Sequence, residues 1–271
     1  MMSARFLTVV LERAFNMRDG FGREIDYMRI SVIDSCNLNC YYCNPCDNNE
    51  HCHALNILSV KEVLCIVRAA TRLGIKHFRL TGGEPLLHPQ LDEMVLQIKK
   101  IPGVSSVSLT TNAVLLAQHA KWLKEAGIDS INVSLDTIDA SEYERITKKP
   151  LLEEVKHGIN AAIECGIRVK INVVLTPQTD VVALTRYVAK KGTDIRFIEM
   201  MPVGEGHTNG VEPYKKVIGT LSKLYGEPCR INTEKTKEIN SGNDKRKIPD
   251  NGPAEYYIFP ELGIRVGLIQ A

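Results

Sequence analysis

The segment Cys36-Asn37-Leu38-Asn39-Cys40-Tyr41-Tyr42-Cys43 places three thiols within eight residues, separated by three residues and then by two. A disulfide among them would leave one thiol over, so convergence on a metal centre suits the spacing better. Three protein ligands on a tetrahedral ion or a four-iron cluster leave one coordination position open. Open positions are where metal sites do chemistry, whereas closed sites are usually structural. The loop follows Tyr27-Met28-Arg29-Ile30-Ser31-Val32-Ile33, which reads as a buried strand.

Polar groups recur where other β-rich runs end. The second run leads into Thr81-Gly82-Gly83-Glu84-Pro85, the third ends Thr110-Thr111-Asn112, and the fourth ends Ser134-Leu135-Asp136. The fifth carries Asn172 and the sixth ends at Glu199. One polar strand end is only a turn signal, but six in succession suggest a shared site. Within the strands, alternation sets Arg29 and Ser31 opposite Met28, Ile30 and Val32. It likewise pairs Arg79 with Thr81 and Lys170 with Asn172, and puts Arg196 two residues before Ile198. Arg29, Arg79, Lys170 and Arg196 are therefore expected to point inward. Confined cations repel one another unless an anion compensates, and a phosphate-bearing substrate would do so. The alternative is that each pairs with an internal acid such as Glu84, Asp136 or Glu199.

Bringing six strand ends to one mouth requires a parallel arrangement. Four helical stretches end in Gly before a β-rich run, at Gly74, Gly127, Gly166 and Gly192, the usual helix C-terminal signal. Ser59-Val60-Lys61-Glu62 and Ser141-Glu142-Tyr143-Glu144 fit the capping box. The β-rich runs are Met28–Ile33, His77–Leu80, Val104–Leu109, Ser130–Leu135, Arg168–Leu175 and Asp194–Ile198. Six strands alternating with helices predict an α/β fold with right-handed crossovers, a partial (β/α)6 TIM-type barrel with a partly open wall. Active sites of such barrels lie at the carboxyl ends of the strands. A helix within residues 1–20 should pack on the barrel, which spans 21–202. Residues 203–271 read as an incomplete region of loop, helix, polar stretch (232–253) and two short strands, Tyr256–Phe259 and Ile264–Ile269.

The chain has 271 residues, 44% of them hydrophobic and 24% charged, ordinary for a globular protein with a full core. A net charge of +2 gives no reason to expect nucleic acid or membrane partners. No apolar run approaches the roughly 20 residues of a membrane span. Eight cysteines without an export signal suggest a reducing, cytoplasmic compartment.

The cysteine motif, with Tyr42 before its last Cys, and Thr81-Gly82-Gly83-Glu84-Pro85 together resemble the radical S-adenosylmethionine (SAM) superfamily. The resemblance implies one [4Fe-4S] cluster held by Cys36, Cys40 and Cys43, with SAM on the fourth iron, and reductive cleavage of SAM to a 5′-deoxyadenosyl radical. Further segments, Asp26–Val32, Arg79–Leu86, Leu109–Asn112, Ile131–Asp136 and Ile195–Pro202, together with Gly252-Pro253-Ala254, resemble the GTP 3′,8-cyclase family of molybdenum cofactor biosynthesis. That resemblance, spanning about Phe21 to Ile269, implies a lyase that joins guanine C8 to ribose C3′. By motif, Tyr42, Gly82, Gly83, Glu84, Ser134 and Met201 would contact SAM. Arg29, Arg79, Thr110 and Lys170 would contact GTP, with Arg196 in the same cavity. The resemblance also implies an external electron donor of flavodoxin or ferredoxin type and a homodimer.

The sequence departs from that family in lacking three further cysteines for a second cluster, an Arg-rich segment and a Gly-Gly tail. The expectation is either a truncated gene with weak or absent cyclase activity, or a divergent enzyme acting on another nucleotide or a peptide. Ala113 stands where the family usually has Gly, and His77 where Lys is usual; a half-buried surface His is expected there. Cys46, His51, Cys52 and His53 could build a small zinc or auxiliary cluster site, but incidental thiols on a loop are the simpler reading. Cys65 is expected in the core. A non-catalytic metal protein is disfavoured, because a structural site wants four ligands and Gly82–Pro85 would go unexplained.

Overall fold

The computed structural model describes residues 17–43, 56–200, 214–231 and 254–270. Six strands pair in parallel and in sequence order: Tyr27–Ser31 (β1), His77–Thr81 (β2), Ser106–Thr111 (β3), Ser130–Ser134 (β4), Arg168–Leu175 (β5) and Asp194–Glu199 (β6). The connecting helices are Val60–Arg72 (α1), Leu91–Lys99 (α2), Leu116–Glu125 (α3), Ala140–Thr147 (α4), Leu152–Glu164 (α5) and Val181–Lys190 (α6). Tyr214–Tyr225 (α7) leads to Cys229–Ile231 (β7), Glu255–Ile258 (β8) and Arg265–Ile269 (β9). β9 joins β6 in parallel, and β8 and β7 continue the sheet antiparallel. The sheet has nine strands in the order β1-β2-β3-β4-β5-β6-β9-β8-β7, the expected partial barrel with its C-terminal extension. The three-residue strand β7 was too short to signal itself in the sequence.

Period-two alternation decides what the sheet faces. One row buries Phe78, Leu109, Ile131, Ile171, Phe197 and Val266 against the helices. Each such side chain contributes about 1.5–3 kcal/mol of burial. The core so formed leaves the opposite row for polar groups. Register partners there run Arg29, Arg79 and Ser108 across β1–β3, and Thr110, Asn132 and Lys170 across β3–β5. Asn172, Arg196, Gly267 and Tyr256 follow across β5, β6, β9 and β8.

The helix punctuation is as expected at Gly74, Gly127, Gly166 and Gly192, all at positive φ. Ser59 and Glu62 form the capping box of α1. Three local expectations are corrected. Helix α4 is capped by Asp139, whose side chain accepts from the N–H of Glu142, and Ser141 merely donates to Asp139. Asp139 sits at the N-cap itself, where its carboxylate reaches the first-turn N–H of Glu142, and Ser141 already lies within the first turn. Cys65 is exposed rather than core. Helix α1 buries Val63, Val67 and Ala70, and Cys65, two residues from Val63, lies about 200° round the helix from it. Residues 17–20 belong to a turn closed by the Arg18–Glu24 bridge, not to a helix; residues 1–16 lie outside the described part.

Candidate active site

The cysteine loop leaves the carboxyl end of β1 and is clamped from two sides. On one side the β1–β2 pairing runs on beyond the strands. The N–H of Val32 donates to Thr81 O (2.9 Å), that of Gly83 to Ile33 O (2.7 Å) and that of Glu84 to Ser35 O (2.7 Å). The approach is too close for side chains. A Cβ on Gly82 would lie 2.2 Å from Ile33 O, and one on Gly83 would lie 2.2 Å from Ser35 O. The two glycines thus let the turn after β2 press against the backbone just before Cys36. On the other side, the N–H groups of Asn39 and Tyr41 donate to Thr147 O and Ile146 O at the end of α4 (3.0 and 3.1 Å).

Two buried carboxylates complete the clamp. Glu84 is 1% exposed. Its Oε1 accepts from the N–H of Leu86 (3.0 Å) and the hydroxyl of Thr111 (2.6 Å), and its Oε2 accepts from the N–H of Asn112 (2.7 Å). Burial pushes this carboxyl up, and the three hydrogen bonds oppose that. Asp136 accepts from the Tyr42 hydroxyl at Oδ2 and from the N–H of Val174 at Oδ1 (2.7 Å). Burial pushes Asp136 up to about 6, against the pull of both bonds. Desolvation and the Asp136 charge push the Tyr42 phenol up as well, so it remains a donor. The acids considered as partners for the inward cations, Glu84 and Asp136, are therefore engaged with the loop and the strand ends.

Asn112, which sequence reasoning treated only as a strand end, reaches the thiols directly. Its Nδ2 donates to Asn37 Oδ1 (2.7 Å) and lies 3.8 Å from Cys36 Sγ, and the N–H of Leu38 is 3.5 Å from the same sulfur. Ala113, next in sequence, is fully buried at φ +65°, a conformation glycine adopts without strain.

Cys36 and Cys43 are exposed and Cys40 half-buried. Burial pushes Cys36 up and Cys40 up to about 12, and each feels the Cys43 thiol as well. As free thiols both therefore hold their protons, which ligation would displace. Among the described residues no three His, Cys, Asp or Glu side chains gather as ligands of one ion. Cys36, Cys40 and Cys43 lie on one loop and are free thiols, and three cysteine ligands with one position left open fit a four-iron cluster. A cavity of about 40 Å³ behind the loop is lined by Cys40, Tyr42, Asn112, Ser134 and Asp136, among others. That is room for water only; a larger ligand must occupy the open mouth, where Ser134 is exposed.

The expected inward cations fall into two pairs, each organised by a tyrosine. The Arg29 Nε donates to the Tyr27 hydroxyl (3.1 Å). The Arg79 guanidinium lies 5.2 Å from the centre of the same ring, and its Nε donates to the Ser108 hydroxyl (3.1 Å). Lys170 and Arg196 are 6% and 4% exposed and both donate to the Tyr256 hydroxyl. Beside them, the Asn132 Nδ2 and Asn172 Oδ1 are buried without a hydrogen-bond partner. Thr110 lies half-buried in register with Asn132. Buried orphaned amides in a polar row need a ligand or water to satisfy them.

The sequence profile described as the Radical SAM superfamily matches residues 30–184, more than half of the chain. A GTP 3′,8-cyclase of Clostridium perfringens is 36% identical over 258 residues, covering 94% of this chain and 76% of that protein. One from Listeria monocytogenes is 40% identical over 245 residues, covering 89% and 70%. The chain belongs to the radical SAM superfamily, within its GTP 3′,8-cyclase family. Solved structures agree on the fold. Streptococcus suis SuiB bound to its precursor peptide SuiA superposes with a TM-score of 0.61 at 18% identity, over 73% of this chain; the chain spans 46% of that protein. Methylornithine synthase gives 0.58 at 15% identity, over 74% of this chain and 62% of that one.

This radical SAM protein is thus an enzyme, and the cofactors of its superfamily are a [4Fe-4S] cluster and SAM. No helix among its described residues is long and apolar enough to cross a membrane. Met201, Cys46, His51, Cys52 and His53 lie outside the described residues. Tyr256 and Asn112 are the residues that sequence reasoning missed. The signal for Tyr256 was a phenol at the inward-facing position of a short strand otherwise read only as an extension.

Proposed function

We propose that the protein is a radical SAM lyase that converts GTP to (8S)-3′,8-cyclo-7,8-dihydroguanosine 5′-triphosphate. The observation that carries this reading is the buried Lys170–Arg196 pair in one polar row of the sheet with the orphaned amides of Asn132 and Asn172. Such a row suits a polyanion with a polar base and sugar. Cys36, Cys40 and Cys43 would hold the cluster. Tyr42, Ser134 and Met201 would line the SAM side. Gly82, Gly83 and Glu84 support it by fixing the loop's backbone. Bound together, cluster and SAM would supply a 5′-deoxyadenosyl radical able to take a hydrogen atom from ribose C3′.

The chain's own contribution is position and exclusion of water. Arg29, Arg79, Lys170 and Arg196 would grip the triphosphate, with Thr110 alongside, so that the ribose stays fixed against the SAM 5′ carbon. Charge on the cations offsets the desolvation of the phosphates. An electron donor of flavodoxin or ferredoxin type, a homodimer and a reducing cytoplasm fit the same reading. The test is anaerobic incubation of reconstituted protein with SAM, dithionite and either GTP or ATP. A nucleotide product isomeric with GTP, dependent on SAM and absent with ATP, is expected. Turnover of neither nucleotide would remove the reading.

A further inference from the structure

We infer that Tyr256, carried by the C-terminal extension, is a positioning residue that holds Lys170 and Arg196 side by side as one polyanion-binding unit. The inference rests on the reading of the barrel interior as a triphosphate site. Tyr256 is 3% exposed. Its hydroxyl accepts from Lys170 Nζ at 3.0 Å and from the Nε of Arg196. Its ring lies 5.3 Å from Lys170 Nζ, 5.5 Å from the Arg196 guanidinium and 5.8 Å from that of Arg265. Arg265 is itself ion-paired with Asp194. Three cations thus meet one aromatic ring.

Two like charges brought this near repel, more strongly in a buried site than in water. A phenol oxygen has two lone pairs and can accept from both cations at once. The negative face of the ring adds further attraction. The backbone is shaped for this meeting. A Cβ on Gly267 of β9 would lie 2.8 Å from Arg196 Cγ and 2.9 Å from Tyr256 Cε1, so glycine there is what lets the two side chains close over the sheet. Strands β8 and β9 therefore serve more than to widen the wall: they deliver the group that presets the cations before an anion arrives. Preset cations lose less freedom on binding. Tyr27 lies close to Arg29 and Arg79 on β1 and β2 in a similar way, with the Arg79 Nε donating to Ser108.

The test is Tyr256→Phe in the reconstituted holoenzyme, which keeps the ring and removes only the oxygen. Iron content and SAM affinity should match wild type, while the thermal midpoint of the unliganded protein falls, because two buried donors lose their acceptor. The Kd for GTP and for inorganic triphosphate should each rise about tenfold or more, the scale for losing hydrogen bonds to charged groups. The kinetic loss should fall on KM more than on kcat. Tyr257→Phe, which alters the neighbouring phenol that donates to Glu255, is the control and should leave all of these in place. Unchanged triphosphate affinity in Tyr256→Phe would overturn the inference, as would an equal loss of SAM affinity and iron content, which would make Tyr256 a strut. If Lys170→Ala weakens GTP binding while Tyr256→Phe does not, this inference falls and the triphosphate reading stands. If wild type binds neither ligand, both fall.

Discussion

The hydroxyl of Tyr42 donates to Oδ2 of Asp136, joining the middle of the cysteine loop to a residue 94 positions away. Asp136 lies two residues beyond the end of β4 and its other oxygen is held by β5 through the N–H of Val174. One buried carboxylate therefore fixes the loop to two strands. The Tyr42→Phe variant leaves that oxygen buried without its donor. It should lose about 1–3 kcal/mol of stability, read by denaturant unfolding of the apoprotein. It should also retain less iron after gel filtration than wild type.

Asp136 also makes the fold pH-dependent in a defined direction. Folded Asp136 keeps its proton up to about pH 6, against 3.8 for an ordinary Asp. Between these values the native state binds more protons than the unfolded chain, so its contribution to stability is full below about pH 4 and is lost as pH rises to about 6. At about 1.4 kcal/mol per pH unit the loss is about 3 kcal/mol. Apoprotein unfolding free energies measured at pH 4, 5, 6 and 7, taken as wild type minus Asp136→Asn, should fall by that order and then level off. A flat difference would remove the assignment.

Gly83→Ala drives a Cβ to 2.2 Å from Ser35 O. Neither partner is a flexible side-chain end, so the loop or the turn must move. A cost of about 1–3 kcal/mol is expected, with reduced iron content on reconstitution. Alanine at an exposed helical position such as Lys121 should change neither and serves as the control.

Asn112→Ala removes the amide near Cys36 Sγ and its bond to Asn37. Hydrogen bonds to cluster sulfurs raise reduction potential. The variant's cluster should titrate more negative, on the order of tens of millivolts for a bond of about 1 kcal/mol. Potentiometry followed by electron paramagnetic resonance reads this without turnover.

The barrel was legible because its signals are local and repeated. Each helix end before a strand carries a Gly at positive φ, and each strand alternates, so the inward placement of Lys170 and Arg196 follows from the sequence alone. What could not be read was pairing across long separations. Nothing in the sequence near Tyr42 points to Asp136, and nothing near Lys170 points to Tyr256, 86 residues on. The role of Glu84 shows the same limit. Its motif suggested the cofactor, whereas its oxygens bind Thr111 and the backbone of Leu86 and Asn112. Cys65 and Ser141 were misread for a smaller reason: one or two positions on a helix decide between core and solvent, or between cap and first turn.

The proposed reaction begins with a hydrogen atom leaving ribose C3′ of GTP. Its most direct test is anaerobic turnover of the reconstituted protein with SAM, dithionite and GTP deuterated at C3′, followed by mass spectrometry of the 5′-deoxyadenosine formed. Deuterium in 5′-deoxyadenosine, lost when Cys40→Ala replaces wild type, is the predicted result. Unlabelled 5′-deoxyadenosine from wild type, or none at all, would contradict it.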